Sequence, residues 1–208
     1  MSALVRTRLI SAALAAAIGV PVALAAMSEQ LQWRDPVYIA AGFAGIAALS
    51  LVLIQPLLIA GYVPGLSAYK SRRVHHWIGG ALVLAILVHV AGLWITSPPD
   101  MLDALLFRSP TPFSPFGVIG MLAIFAVALL APVRRRLGPR MWRIVHLSLA
   151  AVIVACSVVH VMLIEGTMET VSKAALCVLV VVAAGKAIAD VWGRNKKARP
   201  MMSSSDGL

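Results

Sequence analysis

Six apolar runs of about twenty residues follow one another along this 208-residue chain, and no other feature constrains its fold as strongly. An α-helix rises about 1.5 Å per residue, so about twenty residues cross the ~30 Å hydrocarbon layer of a bilayer. The runs cover residues 9–26, 36–62, 74–95, 116–133, 141–164 and 171–192. None shows the period-two alternation that a membrane β-barrel needs. Only 12% of the residues are charged and 61% are hydrophobic. Ordinary soluble domains carry roughly 25% charge, so a soluble globular domain is excluded. The expected fold is all-α: a polytopic membrane protein, a six-transmembrane-helix bundle.

Local signals set the joints. Arg6 and Arg8 before the first run, and Ala23-Leu24-Ala25 near its end, resemble a secretory signal. A retained helix is favoured because the parity of the remaining spans then works out, making residues 1–35 a transmembrane helix and a short outer loop. Gly42 and Gly45 offer close helix contact in the second run, and Pro56 is expected to kink it. Pro98, Pro99, Pro110, Pro112 and Pro115 exclude a spanning helix over residues 97–115. Within that stretch, Asp100 to Phe107 reads as a short helix lying in the interface. Residues 194–208, basic and then Ser-rich, read as a disordered tail.

The net charge of +10 raises nucleic-acid binding as an option, but the cations sit in short patches between apolar runs. There they set topology and contact anionic lipid, so the implied partner is membrane lipid and not nucleic acid. A cytoplasmic N-terminus puts 14 of the 18 cations on the cytoplasmic side and leaves Arg34, Arg108 and Lys173 outside. Glu29, Asp35, Asp100, Asp103, Glu165 and Glu169 fall outside as well. The expected location is a bacterial inner (plasma) membrane, crossed six times, with both termini cytoplasmic. Lys186, inside the sixth run, has Asp190 one turn on as a partner. Cys156 and Cys177 lie in apolar runs as small packing residues, and the absence of CxxCH excludes covalent c-type haem.

All five histidines fall in the third and fifth runs: His75, His76 and His89 in one, His146 and His160 in the other. Helical residues turn about 100° per step, so a spacing of fourteen brings the second side chain within about 40° of the first. His75–His89 and His146–His160 both have that spacing, whereas His76 and His89 fall roughly 140° apart. The two runs point the same way across the bilayer. Packed side by side, they set His75 opposite His146 near the cytoplasmic surface, and His89 opposite His160 about 21 Å along the axis. Two imidazoles facing across a gap are the axial ligands of a low-spin b-type haem, and two such levels predict two b-type haems. The same four residues are therefore the candidate metal ligands. A zinc or iron transport site would add carboxylate or thiolate ligands at the same depth, and the stretches around His89 and His160 contain no carboxylate.

The neighbours fit this scheme. Gly79 and Gly80, one turn beyond His75, and Gly92, one turn after His89, would let a flat ring approach the backbone. Arg72, Arg73, Arg140 and Arg143 flank the cytoplasmic histidines, where they could bind haem propionates or simply follow the positive-inside rule. Trp77, Trp94 and Trp142 lie near run ends, where an aromatic belt is expected.

His75-His76-Trp77-Ile78-Gly79 followed by His89 resembles the third-helix "HRWLG…H" pattern of the ferric reductase-like transmembrane family. The stretch from Leu137 to His146, with His160 beyond it, resembles that family's fifth-helix "LG..W..LH…H" pattern. The family includes ferric reductases, the transmembrane part of NADPH oxidases and the haem-binding membrane subunit of methionine sulfoxide reductase systems. The resemblance covers about residues 37–192, within a haem-binding domain at 36–193. It implies haem ligation by His75, His89, His146 and His160. His76 stands where an arginine is usual, which removes a propionate contact from that position. No Gly-rich dinucleotide fingerprint occurs, and the chain ends soon after the sixth run, so no flavin- or NADPH-binding domain of its own is expected. A flavin or quinone would enter only through a partner or as a loosely bound molecule.

The implied function is transmembrane electron transfer by an oxidoreductase component. A separate cytoplasmic-side donor, a flavin reductase or membrane quinol, would supply an acceptor near the outer 97–115 loop. That acceptor would be ferric iron, oxygen or a periplasmic redox partner. The alternatives are a membrane haem subunit dedicated to a periplasmic reductase, as in methionine sulfoxide systems, and a non-redox transporter or scaffold.

Overall fold

Four of the six α-helices start where a side-chain oxygen accepts from their free backbone N–H groups. The computed structural model describes residues 2–198, and every regular element among them is helical. In chain order these are α1 (Ala3–Ala26), α2 (Pro36–Ala60), α3 (Ala68–Thr96), α4 (Pro98–Leu105), α5 (Ser114–Leu163) and α6 (Thr170–Ala198), with a 3-10 turn at Glu29–Leu31. Asp35 Oδ1 accepts from the Val37 N–H at 2.7 Å, with Pro36 at the first helical position, where no N–H is needed. Ser67 caps α3, and both carboxylate oxygens of Glu169 accept from the first turn of α6 at 2.7 Å. Gly61, at φ 79°, closes α2 in the left-handed conformation that glycine tolerates best. Pro56 stands inside α2, which remains helical to Ala60.

Five helices, all but α4, are long and apolar enough to cross a membrane, so this is a multi-pass membrane protein. The count differs from the six expected runs because the fourth and fifth belong to one 50-residue element, α5. A straight helix of that length would measure about 75 Å, more than twice the hydrocarbon thickness. The helix breaks at Gly138, where φ 72° and ψ 159° lie in a region essentially reserved for glycine, just before Pro139. The two arms fold back on each other. His160 reaches the Phe113 carbonyl at 2.9 Å, and a Cβ on Gly120 would lie 3.5 Å from Cys156. Both pairs are nearly symmetric about the break, so α5 is a hairpin.

The other contacts order the bundle. α2 and α3 run antiparallel, with His89 against Ala41 and Gly79 against Gln55. α3 runs parallel to the second arm of α5, with His75 beside His146. α6 starts under the end of α5, where Lys173 Nζ donates to the Ile164 carbonyl at 2.7 Å. It passes the end of α2, where Tyr62 donates to Asp190 at 2.6 Å and Lys186 lies 3.5 Å from the same carboxylate. The expected Lys186–Asp190 pair thus forms and also fastens α2 to α6. Lys173, expected on the outer side at the start of the sixth run, is only 7% exposed in the first turn of α6. α6 continues to Ala198, through the first residues of the tail read as disordered; residues 199–208 lie outside the described residues.

One end of the bundle therefore gathers the arginine-rich joints, the Gly138 break, His75 and His146. The other gathers Asp35, Glu169, His89 and His160. The apolar core lies between, drawn chiefly from α2 and α6 with Leu82 of α3 and Ala123, Ile124 and Ile153 of α5. Lipid tails are as apolar as these side chains, so close packing of small residues has to hold such helices together. Gly92 does this: a Cβ there would lie 2.7 Å from the Ala41 Cβ. Its smallness serves the α2–α3 contact, not the approach of a ring expected from the sequence. α4 covers the spot predicted for a short helix, starting two residues early because Pro98 and Pro99 fill its first turn.

Candidate functional site

The four spaced histidines meet as two pairs. At the basic end the His75 and His146 rings have centroids 6.2 Å apart and planes inclined at 74°. Two imidazoles bound on opposite sides of one metal, with metal–nitrogen bonds of about 2 Å, have centroids roughly 6 Å apart. At the acidic end His89 and His160 lie at one depth, held against the Ala41 and Phe113 carbonyls near the starts of α2 and α5. All four rings are half-buried, whereas His76 on the next helical position is exposed.

The two levels hold their rings differently. His89 Nδ1 donates to the Ala41 carbonyl at 2.7 Å, and His160 Nδ1 to the Phe113 carbonyl at 2.9 Å. A proton held on Nδ1 leaves Nε2 with its lone pair free for a metal. Both rings are also walled by glycine. A Cβ on Gly45 would lie 3.0 Å from His89 Nδ1, and one on Gly117 would lie 2.7 Å from the His160 ring. Phe113 adds an edge contact to His160, with centroids 5.8 Å apart.

At the basic end His75 Nδ1 and His146 Nδ1 are buried and have no hydrogen-bond partner. Buried polar atoms are rarely left this way, and such orphans point to a missing partner. Trp142, expected in the membrane belt, stacks on His146 at 5.1 Å between centroids, with planes 25° apart. Trp77 remains exposed. Gly80 faces open space, and Gly79 meets only the Gln55 amide, at 3.4 Å from an added Cβ. Arg72, Arg73 and Arg143 stand on exposed positions around this level.

Between the levels lies one apolar layer. Leu82 is seven residues from both His75 and His89, and Ile153 seven from both His146 and His160. Seven residues are nearly two helical turns, which keeps Leu82 and Ile153 on the histidine face, and both are buried in the core. Among the described residues no group of three or more His, Cys, Asp or Glu side chains gathers to form a metal cage. Two neutral nitrogen donors per level suit a macrocycle that brings its own equatorial ligands; a bare ion would need more donors. The orphaned Nδ1 atoms, the two-donor sets and the glycine walls all fit haem.

Sequence reasoning missed Gly45 and Gly117 as ring walls, and it missed Gln55. Gln55 did leave a signal, as the single carboxamide inside the second apolar run.

The model of one protein family, described as the ferric reductase like transmembrane component, matches residues 41–157, more than half of the chain. The match spans three of the four paired histidines and stops just short of His160. No curated protein and no solved structure matches the chain.

Proposed function

Because this chain belongs to the ferric reductase-like transmembrane component family, we propose that it carries electrons across the membrane through two b-type haems. The family's transmembrane domains are generally haem-binding and suggest an electron-transfer role. The observation that carries the reading for this chain is the facing of His75 and His146 at 6.2 Å, with His89 and His160 fourteen residues further along the same two helices and Leu82 and Ile153 between the levels. His75 and His146 hold one haem, and His89 and His160 the other. Haem bound at each level supplies one-electron iron chemistry, which the side chains alone lack.

The residues do the rest. The Ala41 and Phe113 carbonyls fix the tautomer and aim of the outer pair. Leu82 and Ile153 keep water out of the space between the levels. Arg72, Arg73 and Arg143, at the first level, neutralise propionates. Reading α5 as two spanning arms gives six crossings with both termini on the basic side, which the positive-inside rule makes cytoplasmic in a bacterial inner membrane.

A separate donor, a flavin reductase or membrane quinol, delivers electrons on the cytoplasmic side. An acceptor at the outer face, ferric iron, oxygen or a redox partner, takes them near α4. A dedicated membrane subunit for a periplasmic reductase shares the same site and differs only in its acceptor.

A pyridine haemochrome assay on the purified protein tests the reading. Two haems b per chain are expected, and folded protein without a Soret band overturns it.

A further inference from the structure

Three of the four paired histidines have a main-chain carbonyl beside the ring. His89 reaches that of Ala41, His160 that of Phe113, and the Gln55 carbonyl lies beside His75. His146 has no such carbonyl among the described residues, and its buried Nδ1 has no hydrogen-bond partner. What it has is an aromatic face. Trp142, one turn earlier on the same arm of α5 and four residues past the Gly138 break, stacks on its ring with centroids 5.1 Å apart and planes 25° apart.

An imidazole bound to a metal through Nε2 is held at one atom and can still turn about that bond. A partner behind the ring removes this freedom, which is how a hydrogen bond at Nδ1 orients a ligating histidine. For His146 the indole supplies the restraint. Offset parallel rings attract, and turning the imidazole out of the stack would drive its edge into the indole face. The interval of four residues keeps both side chains on one face of the helix. The plane defined in this way is inclined at 74° to that of His75. From this we infer that Trp142 is a positioning residue: its indole face takes the place of a main-chain carbonyl and holds the His146 ring near perpendicular to His75 when both ligate haem. The inference rests on the di-haem reading above.

The inclination has an electronic consequence. Perpendicular axial imidazoles leave two d orbitals of low-spin ferric iron nearly equal in energy, which gives one dominant EPR line at high g. Parallel imidazoles separate those orbitals and give three resolved lines at lower g. EPR of the purified, haem-loaded ferric protein, with haemochrome stoichiometry, tests the inference. Wild type should show a high-g line. In Trp142→Leu one high-g line should move to lower g, while the signal of the second haem and the content of two haems stay unchanged. Trp142→Phe, which keeps an aromatic face, should retain the wild-type spectrum. A tryptophan that only fills space would lower stability in the variants and leave the g values alone. Should Trp142→Leu lose the basic-end haem, Trp142→Phe decides the matter: two haems with the high-g line intact support the inference. A lowered g or a lost haem in Trp142→Phe overturns it. So do a two-haem wild type without a high-g line, equal g values in wild type and Trp142→Leu, and a shift of both haem signals together. Wild-type protein with fewer than two haems fails at the earlier step and overturns the di-haem reading itself.

Discussion

The two histidine levels are alike in spacing and opposite in support. At the acidic end both Nδ1 atoms are held by main-chain carbonyls, and glycines press against both rings. At the basic end both Nδ1 atoms are buried without partners, and the surroundings are an amide, a tryptophan face and open space beside Gly80. A backbone carbonyl belongs to the fold and cannot be changed by substitution, so the acidic-end pair is preset as soon as the helices pack. The basic-end pair has the Gln55 main-chain carbonyl beside His75 and side chains elsewhere, the Trp142 face on His146 among them. The acidic-end level is built for fixed geometry, and the basic-end one is lined in part by side chains that substitution can change.

The largest effects come from removing ligands. His89→Ala or His160→Ala should lower haem content from two per chain to one, and His75→Ala or His146→Ala should remove the other. Haemochrome stoichiometry, combined with redox titration, shows which couple disappears. If one substitution at either level removes both haems, the levels are not independent.

Next come the ring walls. Gly117→Ala places a Cβ 2.7 Å from the His160 ring, and Gly45→Ala places one 3.0 Å from His89. Overpacking of this kind costs about 1–3 kcal/mol, here set against the ring's bond to its carbonyl. Haem occupancy at the acidic end should fall more in Gly117→Ala than in Gly45→Ala, whereas Gly80→Ala at the basic end, with nothing within 4 Å, should leave occupancy unchanged. Equal losses in all three variants would erase the distinction between the levels.

Gly138→Ala strains the break in α5 by about 1–3 kcal/mol, because φ 72° with ψ 159° excludes a Cβ. Thermal unfolding in detergent should shift downward, with His146 and the basic-end haem affected before the acidic-end one.

The smallest effect concerns Glu169. Backbone N–H groups of Val171 and Ser172 hold its carboxyl below the usual carboxylate range. A depressed pKa contributes stability that is present above the ordinary carboxylate pKa and fades as pH falls through the lowered value. Wild type and Glu169→Gln should therefore differ in melting temperature near neutral pH and converge in acid. A difference that persists at low pH would show that the cap does not act through charge.

Much of this was legible beforehand. Residues 97–115 could not span because of their prolines, and the fourteen-residue intervals selected His75, His89, His146 and His160 while setting His76 aside. Those features repeat along one helix, where geometry is known in advance. Gly92 was misread because smallness marks any close approach, and only the packing shows that Ala41 is the neighbour. Trp142 was read as a belt residue because its position near a run end fits that role equally well, and its stacking on His146 depends on a rotamer. Lys173 stands at the acidic end, as counted, but a sequence cannot show that its ammonium folds back onto the Ile164 carbonyl.

The amino-acid sequence by itself determined the membrane class, the helical periods, the acidic and basic ends and the four histidines, because each follows from chain-local physics: hydrophobic length, a 100° turn and the placement of charge. Only the tertiary structure decided that α5 turns back at Gly138, that Gly45 and Gly117 wall the rings, and that the Ala41 and Phe113 carbonyls serve one level while Gln55 stands beside the other. Those are contacts between residues dozens of positions apart, and their partners are set by how helices meet and not by any local pattern.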